Sequence, residues 1–174
     1  MAKDYESYIN ELAEGDGKNE LFYNSNERHA SIVLRALVKN AKRYIKIVCD
    51  SMCTDVSNNR EYLDLLERFL QGSADRSIKI LFVRYDSHFR DLPIAALLRK
   101  YNRQVEIRSR EGVDVNFDGK PVHFTMADDK AFRIETDIKA KMAFGNFNNP
   151  EQASVLNRVF DRFFNQPETV AITL

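Results

Sequence analysis

The run Pro121-Val122-His123-Phe124-Thr125-Met126-Ala127-Asp128-Asp129-Lys130-Ala131-Phe132-Arg133-Ile134-Glu135 constrains this chain more than any other segment. Two apolar, alternating stretches meet at an acidic corner, which reads as two strands of a hairpin. Successive strand side chains point to opposite faces, so residues two apart share one. His123, Thr125 and Ala127 therefore lie on one face of the first strand. Arg133 and Glu135 share a face of the second. One short segment thus gathers a histidine, a guanidinium and a carboxylate.

The rest of the chain alternates strand and helix patterns. Residues 4–14 predict an amphipathic helix with Tyr5, Tyr8, Ile9 and Leu12 on one side. Gly15-Asp16-Gly17 then reads as a hinge, so residues 1–19 are expected to be a helical appendage to a domain over 20–174. Ser25 or Asn26 is a suitable N-cap for a helix reaching about Lys42. The segment Phe22-Tyr23-Asn24 reads only as its lead-in. Strands are expected over 44–49, 77–83 and 104–108, with helices over 59–71 and 89–101 between them. Beyond an Asp118-Gly119 turn and the hairpin come a strand near 141–144 and a helix capped by Asn149 with Pro150 in its first turn. Residues 170–174 could add an edge strand. This order predicts an α/β fold, a mixed β-sheet flanked by helices on both faces.

A chain of 174 residues suits one well-cored domain, and 44% hydrophobic with 30% charged residues is ordinary for a globular protein. No apolar run approaches the roughly 20 residues that span a bilayer, and the first residues carry no secretory core. No membrane association and a cytoplasmic location are therefore expected. Lys plus Arg equals Asp plus Glu at 26 each, which does not favour nucleic acid, since phosphate contacts call for a basic excess. Cys49 and Cys53 have no second pair at ligand spacing, and His29 and His88 stand alone, so no metal is expected. Six glycines form no phosphate loop, and no cofactor is expected either. Phe160 and Phe163 read as core. Phe164 exceeds what one helix face buries and marks a candidate oligomer contact.

The stretch from Ala36 to Tyr44-Ile45-Lys46-Ile47, the two strand–helix units after it and the Asp-Asp-Lys hairpin resemble half of the phospholipase D-like superfamily. The resemblance covers about residues 20–165. It implies a His-x-Lys-x4-Asp motif on the hairpin, followed by Gly-Ser-x-Asn. With Asp128 as the motif aspartate, the lysine position falls on His123 and the histidine position on Pro121. The Gly-Ser pair then becomes Glu135-Thr136 and the asparagine Ile138. With His123 as the histidine, Thr125 stands at the lysine and Lys130 at the aspartate. Neither register keeps the full set, and proline cannot be a nucleophile.

The family chemistry implied is attack on phosphorus by one histidine while a lysine holds the phosphate oxygens and a second histidine protonates the leaving group. His123 and Asp128 are the candidate catalytic residues, with a strand histidine and a turn aspartate as the structural alternatives. Arg133 is a candidate anion holder in place of the missing lysine, with Glu135 beside it. Gly145-Asn146-Phe147-Asn148 resembles a displaced Gly-Ser-x-Asn, which makes Asn146 a candidate ligand contact or a helix-entry cap. Two functions follow. One is a catalytically degenerate phospholipase D-like domain acting as a binding or regulatory accessory protein, with a protein partner or a second copy of itself. The other is a dimeric phosphodiesterase or nuclease using His123 from each subunit.

Overall fold

The computed structural model describes residues 4–15 and 17–174. Asp16, in the middle of the expected hinge, lies outside them. The chain opens with helix α1 (Tyr5–Glu14), whose Asp4 side chain accepts from the Ser7 amide. Ile9 and Leu12 on α1 are buried in the same core as the helix that follows.

A strand that sequence patterning misses comes next, β1 (Leu21–Asn24). Four residues are too few to show an alternation of their own. Asn26 caps α2 (Glu27–Asn40), which leads to β2 (Tyr44–Cys49). A short α3 (Asp55–Asn58) and α4 (Arg60–Gln71) precede β3 (Ser77–Phe82). The helix expected over 89–101 is divided. A 3-10 turn (Ser87–Asp91) ends before Pro93, which opens α5 (Pro93–Lys100), because proline lacks the amide an unbroken helix would use there. Then come β4 (Val105–Ser109) and a small ribbon, β5 (Asn116–Phe117) and β6 (Lys120–Pro121). The predicted hairpin is β7 (His123–Ala127) and β8 (Ala131–Asp137). The chain ends with β9 (Met142–Asn146), α6 (Pro150–Phe164) and the edge strand β10 (Val170–Ala171).

Eight strands form one mixed sheet in the order β1-β9-β8-β7-β2-β3-β4-β10. The central β2, β3 and β4 are parallel, and the β7–β8–β9–β1 meander joins them antiparallel along β2. On one face Ile45, Ile47, Ile80 and Phe82 pack under α1, α2, α4 and α5. On the other, Val48, Leu81, Phe124, Met126 and Ile134 pack under α6 through Leu156, Phe160 and Phe164. Burial on both faces explains the apolar second halves of β2 (Ile47-Val48-Cys49) and β3 (Ile80-Leu81-Phe82), each of which follows a lysine, Lys46 or Lys79. Phe164 belongs to this core and is no oligomer contact. It is fully buried, stacks on Phe160 at 4.9 Å and lies beneath the Arg108 guanidinium at 4.6 Å.

Gly145 lies between β8 and β1, with no room for a side chain. A Cβ there would run into the Phe132 carbonyl oxygen and the Phe22 ring.

Candidate functional site

The hairpin register decides which side chains meet. His123 lies directly opposite Glu135, and Thr125 opposite Arg133. On the other side, β7 runs antiparallel to β2 with Phe124 against Val48, so the start of β7 adjoins the carboxyl end of β2. Asp50 follows Cys49 at that end. Ligand sites in open α/β sheets gather outside strand carboxyl ends where neighbouring connections diverge. Here β3 continues on one side of β2 and β7 returns on the other.

A cavity of about 180 Å3 opens at this point. Its polar wall includes Asp50, His123, Thr125, Arg133, Glu135 and Lys141. His123 is bracketed by two carboxylates, with Asp50 Oδ1 3.2 Å from Nε2 and Glu135 Oε2 3.6 Å from Nδ1. Glu135 Oε1 accepts from Arg133 Nη2 at 3.2 Å, and Arg133 Nε donates to Asn24 Oδ1 at 2.8 Å. Asn24 in turn donates from Nδ2 to the Lys141 carbonyl at 2.7 Å, tying the edge strand to the β8–β9 turn. Asn24, His123, Arg133 and Glu135 are all buried, whereas the Asp50 side chain is 40% exposed and stands at the mouth.

The electrostatics follow from these contacts. Burial alone would raise the Glu135 carboxyl, but the contact with His123 and the charges of Arg133 and Lys141 outweigh it and hold the group below its ordinary value. The opposite holds for Cys49 in the cavity wall. Loss of hydration pushes its thiol up, and the carboxylates of Asp50 and Glu135 push it further, so it is no ready thiolate. Helix α1 also bears on this region. Tyr5 stacks on His29 with ring centres 3.8 Å apart and donates its hydroxyl to the Tyr23 carbonyl at 2.8 Å. Burial raises its phenol to about 12, against a lowering pull from the Arg133 charge.

Three of the sequence candidates, His123, Arg133 and Glu135, are thus brought together. Two are not. Asp128 sits at the far end of β7, at the hairpin corner, in a left-handed conformation with φ 56°. Its buried carboxylate accepts from the backbone amides of Lys42, Arg43 and Tyr44 at 3.0, 2.8 and 3.2 Å. It fastens the α2–β2 connection to the hairpin. Asn146 pairs with Phe132 and Leu21, which puts it on the α6 side of the sheet, opposite His123. It is fully buried, donates to Asn19 Oδ1 at 2.7 Å and accepts from the Asn148 amide at 2.8 Å. No group of His, Cys, Asp and Glu side chains among the described residues is arranged to hold a metal ion.

Sequence reading did not single out Asp50, Asn24 or Lys141. For Asp50 a signal existed, as the first polar residue beyond the carboxyl end of a buried strand. For Asn24 there was none, because β1 itself went unseen.

The eight-stranded mixed sheet with helices on both faces has a phospholipase D-like fold, as its likeness to solved structures shows. The archaeal chromatin protein TrmBL2, described as having a novel mode of DNA binding, matches with a TM-score of 0.60 at 12% identity, over 90% of this chain and 56% of its own. NucT from Helicobacter pylori matches with 0.60 at 15%, over 89% of this chain and 99% of its own. Phosphatidylserine synthase from Haemophilus influenzae Rd KW20 matches with 0.51 at 11%, over 94% of this chain and 44% of its own. The chain thus spans about half the length of the first and third, and at these identities the likeness concerns the fold alone. By sequence, the chain belongs to a family defined as a domain of unknown function, DUF7931, whose model matches residues 26–171. No curated protein matches it. Among the described residues, no helix is long and apolar enough to cross a membrane.

Proposed function

We propose that this protein is a phospholipase D-like domain that binds rather than hydrolyses, serving as a binding or regulatory accessory protein. The observation that carries this reading is the carboxylate on each side of His123. A histidine that attacks phosphorus must present one bare nitrogen to the phosphoryl group and find cations there for its oxygens. Here Asp50 occupies the approach to Nε2. The residue two positions on is Thr125, and the Arg133 opposite it is already engaged by Glu135 and Asn24. An incoming phosphodiester therefore meets a carboxylate where the chemistry requires a positive charge, and the two like charges repel.

The test is hydrolysis of bis(p-nitrophenyl) phosphate by the wild-type protein and by His123→Asn. The expectation is no release of nitrophenol above background by either. Hydrolysis by the wild type that His123→Asn abolishes would overturn the reading in favour of the phosphodiesterase.

A further inference from the structure

The same cavity has a charge pattern unlike that of a phosphate site. Resting on the binding reading above, we infer that it takes a small aliphatic zwitterion, a free amino acid with an apolar side chain, its ammonium at Asp50 and its carboxylate at Lys141.

Three observations lead there. The first is charge balance. Asp50 and Glu135 stand against Arg133 and Lys141, so the wall carries carboxylates and basic side chains in equal number. An ion of one sign would have to leave water for a cavity unable to compensate it, which is costly. A ligand bearing both signs need not. Glu135 is already saturated by its contacts with Arg133 and His123, whereas Asp50, among the described residues, is ion-paired with His123 alone and keeps 40% of its side chain open. That leaves Asp50 as the carboxylate able to receive an ammonium.

The second is a polar group beside the charged ones. Thr125 is 6% exposed and lines the cavity, where its hydroxyl can both donate to and accept from a ligand.

The third is size and lining. The volume of about 180 Å3 is a little more than a cavity that accepts a benzene-sized molecule, so the ligand has roughly six to ten non-hydrogen atoms. Leu34, Met52, Val56 and Ile138 give the wall an apolar part on which an apolar side chain can rest. Leucine, isoleucine, valine and methionine meet all three conditions.

The experiment is calorimetric titration of the full chain with those four L-amino acids, up to about 10 mM, which resolves a millimolar site. Three controls run beside them. 3-Methylbutylamine is leucine without its carboxylate, 4-methylpentanoate is leucine without its ammonium, and inorganic phosphate is a plain anion. The expected result is saturable binding of at least one of the four amino acids, with the amine and the acid each at least about tenfold weaker, as loss of a charge-assisted contact implies. Asp50→Asn, a near-isosteric change at the half-open mouth, should weaken the bound amino acid by about tenfold or more. No binding by any of the four overturns the inference. So does equal binding of the amine or the acid, binding of phosphate only, or an Asp50→Asn protein that binds as well as wild type. Hydrolysis of bis(p-nitrophenyl) phosphate on the same preparation separates the two readings. Absent hydrolysis with absent amino-acid binding sinks this inference alone, and His123-dependent hydrolysis sinks the proposed function.

Discussion

Replacing Glu135 by Gln isolates the charge that holds the cavity wall together. The side chain is 7% exposed, and it lies 3.2 Å from Arg133 and 3.6 Å from His123. Glutamine has nearly the same shape and keeps one oxygen to accept from Arg133, so packing is preserved while the charge is lost. Arg133, 5% exposed, is then a buried cation whose other hydrogen-bond partner is the neutral Asn24. Removing one member of a buried pair costs about 3–5 kcal/mol, and the retained acceptor puts the expectation at the lower end, about 3 kcal/mol. For a chain of this length that is a fall in Tm of about 6–12 °C. The pH dependence has a definite sign. The folded-state pKa of Glu135 lies below its ordinary value of 4.5, so its contribution is complete above that value and disappears as pH falls through the folded-state pKa. The stability gap between wild type and Glu135→Gln should be constant near neutrality and close progressively below about pH 4.5. Urea unfolding at a series of pH values measures it. A gap under about 0.5 kcal/mol at pH 7, or one that widens in acid, would refute the assignment of a stabilising charge to Glu135.

Other perturbations test other parts of the argument. Asp128→Ala removes an acceptor shared by three backbone amides and should cost about 2–3 kcal/mol by denaturant unfolding, with no effect on cavity binding. Gly145→Ala forces a methyl group against β8 and the Phe22 ring and should destabilise by about 1–3 kcal/mol; a neutral result would mean the strands separate easily there. Ile9→Ala should cost about 2–4 kcal/mol if α1 is integral to the core, whereas a separable appendage would leave Tm unchanged. Tyr5→Phe, which removes only the bond to the Tyr23 carbonyl, should cost about 0.5–1.5 kcal/mol in the same assay.

Strand β2, the β7–β8 hairpin and the Asn149-capped α6 were legible because their signals are local. Alternation, apolar runs and capping residues need only a few neighbours in the chain to act. Strand β1 was illegible for the same reason. Its existence depends on the pairing of Phe22 with Gly145 and Asn24 with Ala143, more than a hundred residues away. The break before α5 was not legible, since the apolar spacing over 89–101 continues across Pro93.

The sequence by itself determined the α/β alternation, the hairpin and the sharing of one strand face by Arg133 and Glu135, all consequences of periodicity along a single segment. It also determined that no complete His-x-Lys-x4-Asp set exists in either register. Only the tertiary structure decided what surrounds His123. The antiparallel return of β7 along β2 brings Asp50 to one ring nitrogen, and the hairpin register brings Glu135 to the other. The same pairing sent Asn146 to the opposite face and made Asp128 a backbone clasp. These outcomes depend on the register between strands distant in sequence, and a shift of one residue would exchange every side chain between the two faces.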